Sequence, residues 1–193
     1  LRFIKRTPIL LAAISLDLFA VLFGGAIALL PVIAKDQLLV GDVAYGWLRA
    51  AGGIGAATMA IFLAIRPLRR NVGKSLLFAV AIFGAGTIVL GSTSSYVIAF
   101  VAVVVLSAAD MVSVFVRSSI VPLVTPDEKR GRVSAVENVF IGATNELGAF
   151  ESGLAARYLG TIPSVVFGGI MTILVVLFTY IKAPALKRVR IDQ

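Results

Sequence analysis

Residues 130–160 read RGRVSAVENVFIGATNELGAFESGLAARYLG. From Val133 to Ala156 the stretch is mostly small and apolar, and long enough to cross a bilayer as a helix. It nevertheless holds Glu137, Asn145, Glu146 and Glu151, with Arg157 just beyond. A charge at the bilayer centre costs about 2.5–3.5 kcal/mol on insertion scales, so each such group needs a partner, water or a membrane boundary. At about 100° per residue, Glu137 and Glu151 fall roughly 40° apart and Glu146 points away from Glu137. The spacing predicts a spanning helix with polar groups on two faces. Glu137 and Glu151 lie near its two ends, where they meet water or headgroups. Glu146 lies near mid-depth, where a paired or functional role is expected. A small-residue track, Gly142, Ala149, Gly153 and Ala156, is expected to permit close helix approach.

The rest of the chain places this helix in a membrane protein. Of 193 residues, 59% are hydrophobic and only 15% charged. The mean hydropathy is +1.01. Soluble domains are less apolar and carry more charge. Apolar runs of about twenty residues recur, which suits helices rather than the alternating segments of a barrel. In lipid each backbone polar group must be satisfied within its own helix. The expectation is an all-α membrane protein in contact with the lipid bilayer.

Six spans are predicted, at about 9–31, 46–65, 75–91, 96–121, 134–155 and 162–181. Lysine and arginine gather on one side. Arg2, Lys5 and Arg6 precede span one; Arg66, Arg69, Arg70 and Lys74 follow span two; Lys129, Arg130 and Arg132 follow span four; Lys182, Lys187, Arg188 and Arg190 follow span six. Both ends of the segment are therefore expected in the cytoplasm. The net charge of +8 belongs to this topology, and no nucleic-acid partner is implied. Pro31 is expected to end span one, Pro122 to mark the end of span four and Pro163 the start of span six. Thr125-Pro126-Asp127-Glu128 reads as a capping box opening a short interfacial turn before span five.

Ionisable residues sort by span in a repeating order. Span one has Asp17 and span two Arg49. Span four has Asp110 and Arg117, and span five has its three glutamates. Spans three and six have none in their interiors. Split at residues 1–93 and 94–193, the chain reads polar, polar, bare twice over, although the two triplets do not align by residue. The bare third helix of each triplet is expected to face lipid. Asp110 sits in VVVLSAADMVSVFV with no neutralising neighbour on its own helix, since Arg117 is two turns away. A desolvated carboxylate of this kind can take up a proton near neutral pH; the alternative is a salt bridge to Arg49 or Arg117. Asp17 carries the same two readings.

The chain has no cysteine and no histidine. That excludes Cys/His metal sites, thiol nucleophiles and Ser-His triads, and no cofactor is implied. Val72-Gly73-Lys74-Ser75 lacks the upstream glycine of a phosphate loop, where Leu68 stands. Gly52-Gly53-Ile54-Gly55 follows no strand and lacks the spacing of a dinucleotide loop. It is expected to serve helix packing instead, with Ala57 and Ala60 continuing the small surface. No enzymatic centre is expected. The absence of an initiator Met and of a cleavable leader suggests that Leu1 lies within a longer polypeptide.

Four segments carry a resemblance: FGGAIALLPVIAKDQL, YGWLRAAGGIGA, RPLRRNVGK and, above all, AADMVSVFVRSSIVPLVTPDEKRGRVSAVENVFIGATNELGAFESG. Through them the chain resembles the carboxy-terminal half of a major facilitator superfamily transporter, in the branch of enterobactin-exporter-like permeases. The resemblance implies a twelve-helix fold of which residues 1–193 are one six-helix half, built from two three-helix repeats. It further implies a missing amino-terminal half as partner and a small-molecule substrate. The expected activity is secondary active, proton-coupled efflux of a small hydrophobic or siderophore-like compound across a bacterial inner membrane. Asp110, Asp17, Glu146 and Asn145 are then candidates for proton coupling or for the cavity wall. Arg49 and Arg117 are candidates for charge pairs or anion binding. The competing expectation is a non-transporting multi-pass subunit or scaffold whose carboxylates serve helix assembly.

Overall fold

The computed structural model describes residues 8–68 and 71–182, and all regular structure among them is helical. The long helices are α1 (Pro8–Phe23), α2 (Asp42–Ile65), α3 (Val72–Ser92), α4 (Tyr96–Val124), α5 (Asp127–Leu159) and α6 (Thr161–Lys182). Arg2, Lys5, Arg6, Arg69, Arg70, Lys187, Arg188 and Arg190, on which much of the charge asymmetry rests, lie outside the described residues. Five segments are long and apolar enough to span a bilayer: Ile14–Gln37, Asp42–Ile65, Val72–Ser92, Tyr96–Ser119 and Thr161–Lys182. Helix α5 is longer than any of these, and its charged residues set it apart from them.

Two boundaries differ from the sequence expectation. The capping box does not form: Pro126 precedes α5 with no side-chain cap, and the buried Thr125 hydroxyl has no partner. No short interfacial turn separates it from span five either. Helix α5 runs unbroken through 33 residues, about 50 Å at 1.5 Å per residue, so it exceeds the roughly 30 Å hydrocarbon core. Only Gly131 interrupts its polar first turns, and a single glycine weakens a helix by about 1 kcal/mol without ending it.

Span one behaves in the opposite way. Helix α1 stops at Phe23, ahead of Gly24 and Gly25, and not at Pro31. A 3-10 turn over Gly25–Leu29, a short α segment Leu30–Val32 and a π turn over Ile33–Gln37 carry the path onward. Pro31 sits at the start of its short segment, where its missing N–H costs nothing. The break falls at the glycine pair because neighbours press on it. A Cβ on Gly24 would collide with the Phe83 ring, and one on Gly25 with Ser152 Oγ and the Gly148 carbonyl.

The helices do not pack as sequence triplets. The broadest contacts are α2 on α4, α3 on α6 and α3 on α4, while α1 lies against α5 and α6. Direct contact of α4 with α1 and with α5 is slight. A glycine marks each major crossing. Gly55 of α2 meets the Val104 backbone of α4, and Gly148 of α5 meets the Val21 and Leu22 carbonyls of α1. Gly86 of α3 meets Leu106 of α4, and Gly168 of α6 meets the Phe23 carbonyl of α1. At the α3–α6 crossing, Gly84 and Gly169 each face the other's carbonyl. Without a hydrophobic drive between helices in lipid, such close backbone approach is what holds them.

Helix α3 is consequently the most internal of the five apolar spans, with 56% of its window buried. The bare third helix of the first triplet is therefore packed over most of its surface, with only part of it left for lipid. It lacks charge because both flanks are packed against α4 and α6, and it leaves only a narrow stripe exposed, through Lys74, Phe78, Ala85 and Val89. Helix α6 does show a broad apolar outer face, through Phe167, Ile170, Leu174, Leu177 and Phe178. The expected track on α5 also differs: Gly142 and Gly153 have nothing near them, and Gly148 makes the close approach.

At the end of the bundle away from the basic loops, side chains close the structure. The Gln37 amide donates to the Thr93 carbonyl at 2.7 Å and the Gly91 carbonyl at 3.0 Å, capping α3. The Tyr96 hydroxyl donates to the Ala44 carbonyl at 2.9 Å, tying α4 to α2. Gly160, at φ 92°, makes the one-residue turn from α5 to α6 in a conformation that favours glycine.

The Gly55 crossing yields a paired test. Gly55→Ala is expected to lower stability by about 1–3 kcal/mol through overpacking against Val104. Gly53→Ala, with open space at its Cβ, is expected to leave stability unchanged or slightly higher. Unfolding midpoints in detergent micelles check both.

Candidate functional site

The ionisable residues fall into two groups, and the first is a buried ion pair. Arg117 of α4 meets Asp17 of α1 at 3.0 Å through Nη1. Their side chains are 7% and 4% exposed. The Ser113 hydroxyl, one turn before Arg117, donates to the other Asp17 oxygen at 2.7 Å. The same Arg117 Nη1 lies 3.9 Å from Glu137 Oε1 of α5, while its Nε is buried without an acceptor among the described residues. One guanidinium thus links three helices, two of which barely touch α4 otherwise. A buried charge is tolerable only when paired in this way. The residue pairing with Arg117 is Asp17, and Asp110 makes no ion pair among the described residues. Glu137, placed by the sequence at a boundary facing water or headgroups, is half-buried and turned toward Arg117.

The second group surrounds a cavity of about 450 Å³ between α1, α2, α4 and α5. Asp110, Arg49, Asn145 and Tyr45 supply its polar wall, and Val21, Leu30 and Phe83 much of its apolar wall. The Gly24–Gly25 break and the turn that follows form one side. Asp110 is half-buried and has no hydrogen-bond or ion-pair partner among the described residues. Arg49 is exposed and, among the described residues, donates only to the Tyr45 hydroxyl, at 3.3 Å. The cavity therefore offers an unpaired carboxylate, a guanidinium with capacity to spare and an amide. Such an arrangement can bind a proton at one point and a polar or anionic group at another, against an apolar wall.

Between the two groups lies a small void bordered by Asp17, Asp110 and Ser113, of about 10 Å³. That volume is at the lower limit for one water molecule. On the far side of Arg117, a cavity of about 270 Å³ is lined by Arg117, Ser118, Ser134, Glu137 and Asn138. Glu146, expected to be paired or functional, borders none of these spaces and is exposed. Sequence reasoning missed the glycine break as a cavity wall, although the pair Gly24-Gly25 inside an apolar run was the available signal. It also missed Tyr45, whose position one turn before Arg49 is the i,i+4 spacing that brings the two together.

Removing one member of the buried pair has a predictable cost. Arg117→Met is expected to destabilise by about 3–5 kcal/mol, because it strands Asp17 in an apolar setting. Combining it with Asp17→Leu is expected to recover most of that loss. Thermal unfolding of the wild type, both single variants and the double variant checks this.

Sequence comparison adds the last observation. The major facilitator family profile described as transmembrane secretion effector matches residues 1–192. No curated protein and no solved structure matches the chain. With nearly its whole length matched and its apolar helices arranged around a polar-walled cavity, the chain belongs to the transmembrane secretion effector family of the major facilitator superfamily of membrane transporters.

Proposed function

We propose that the chain is the carboxy-terminal six-helix half of a twelve-helix secondary transporter, which exports a small hydrophobic or siderophore-like compound in exchange for protons. The observation that carries this reading is the cavity joining Asp110, Arg49 and Asn145 beside a broken α1. A discontinuous membrane helix at mid-path is a recurrent way to build a transport site. The apolar wall suits a hydrophobic body, and Asp110 is the one cavity carboxylate free to exchange a proton. Helix α5 counts as the sixth span on this reading, with Glu137 turned toward Arg117 and the exposed Glu146 left for the missing half.

The packing supports two three-helix repeats, residues 1–93 and 94–193. Exchanging α1 with α4, α2 with α5 and α3 with α6 turns each glycine crossing into another of the set. Gly55 on α4 corresponds to Gly148 on α1, Gly86 on α4 to Gly168 on α1, and Gly84–Gly169 maps onto itself. Alternating access then rocks this half against the absent one, with both ends of the segment in the cytoplasm and the protein in a bacterial inner membrane. The scaffold reading draws support from the ion pair of Asp17 with Arg117, which joins α1 to α4; it leaves Asp110 and Arg49 unexplained.

The test uses full-length protein in everted vesicles, with ethidium and a catecholate siderophore as probes and an imposed pH gradient. Gradient-driven movement of either probe is expected. Asp110→Asn is expected to cut it by about tenfold or more, the equivalent of at least 1.4 kcal/mol in the coupled step. Flux that ignores the gradient, or an Asp110→Asn variant that keeps full gradient dependence, overturns the coupling role. Absence of flux for any probe, with the protein folded and inserted, favours the scaffold.

A further inference from the structure

The ion cluster holds more acid than base. Asp17, Asp110 and Glu137 face a single guanidinium, Arg117, from α1, α4 and α5, and no other charged side chain borders the spaces between them. With every carboxylate ionised these four groups carry two negative charges in excess around a deeply buried pair, and the other cation near them, Arg49, lies in the wall of the 450 Å³ cavity that Asp110 borders. That surplus is too costly to keep uncompensated, and bound protons relieve it.

The spaces around the cluster say where protons can enter and leave. Asp110 borders both the 450 Å³ cavity and the small void that it shares with Asp17. Glu137 borders the separate 270 Å³ cavity on the other side of Arg117. The buried Arg117 Nε, without an acceptor among the described residues, belongs to a side chain lining that second cavity. Asp17 borders the small void and Arg117 the second cavity, so their pair stands between these two spaces. Arg117 sits 3.0 Å from the carboxylate on one side and 3.9 Å from that on the other, so a small rotation of its head changes its partner.

We propose that Glu137 is a second proton-binding site, and that Arg117 passes the proton signal to it by exchanging partners. This rests on the transport reading above. A proton on Asp110 moves to the Asp17 carboxylate across the shared void, directly or through one water. Neutral Asp17 loses its hold on the guanidinium. Arg117 turns to Glu137, whose carboxyl O–H bond breaks and gives its proton to water in the second cavity. One proton enters at Asp110 and one leaves at Glu137. The guanidinium keeps its charge throughout, as arginine must, and the cluster's total charge is unchanged. Because α4 has little other contact with α1 and α5, the partner exchange also alters the ties between these helices.

The proton itself is the first probe. Full-length protein in lipid is titrated and followed by infrared difference spectroscopy of the carboxyl C=O band. Glu137→Gln is expected to remove a titrating carboxyl signal, and Glu137→Asp to restore one. Arg117→Lys, which keeps the charge but not the planar fork, is expected to retain Glu137's signal and slow its response to a pH jump by about tenfold. A titrating signal identical in the wild type and Glu137→Gln overturns the proposal. So does loss of the signal that Glu137→Asp fails to restore in folded protein. Ethidium binding and gradient-driven movement are measured in parallel. Glu137→Gln is expected to leave binding within about twofold while lowering driven movement by about tenfold; equal loss of both overturns the relay. If the wild type moves no probe but the Glu137 signal is present, the transport reading fails and the proton site stands.

Discussion

A carboxylate and a guanidinium that meet at 3.0 Å, each more than nine-tenths buried, set the terms for the rest of this bundle. Apolar surroundings make an unpaired ion costly by several kcal/mol, whereas removing the whole pair can be nearly neutral. The pair is therefore a constraint on geometry more than a source of stability. It fixes the approach of α1 to α4, two helices with little other contact. It also engages the arginine on Asp110's own helix. Because Arg117 is engaged with Asp17, Asp110 faces its cavity without an ion-pair partner among the described residues, with Arg49 in the same cavity wall.

The same economy of contacts runs through the packing. Helices in lipid gain little from burying apolar surface against each other, so backbone proximity must supply the attraction. Glycines provide it at the five main crossings, from Gly55 on α4 to Gly84 against Gly169. The pair Gly24-Gly25 does something different. Its bare backbone admits Phe83 on one side and the Gly148 backbone on the other, and α1 gives up its regular winding there. A tight junction and a cavity wall thus arise from one requirement, the absence of a Cβ.

Composition and hydropathy were enough to read an all-helical membrane protein, since runs of twenty apolar residues have few other uses. The opposed faces of α5 were legible from the 100° rotation per residue, but not which face is covered: Glu137 and Glu151 are half-buried and Glu146 is exposed, the reverse of the expected roles. What the sequence concealed were choices made between helices. Nothing along the chain tells Arg117 to select Asp17, a hundred residues earlier, over Asp110, two turns away. The lack of charge on α3 fits lipid exposure and tight burial equally well, and only its glycine contacts with α4 and α6 distinguish them. Pro31 was the more conspicuous helix breaker, yet proline at the start of a helical segment breaks nothing. The break went to the glycines, where neighbours demanded space.

These features divide the bundle into firm and yielding parts. Helices α3 and α6 share a broad interface with reciprocal glycines, and α3 also lies firmly on α4. The joints of α4 with α1 and α5 are thin, and it is there that Asp17, Arg117 and Glu137 meet. A charge rearrangement in a well-packed interface is opposed by every neighbouring side chain. At a thin joint flanked by two cavities, the electrostatic contact is the main tie, so changing it has the greatest leverage on the helices it connects. On the transport reading, this is where a proton's arrival can become motion, because packing elsewhere is too dense to yield and too apolar to respond to charge.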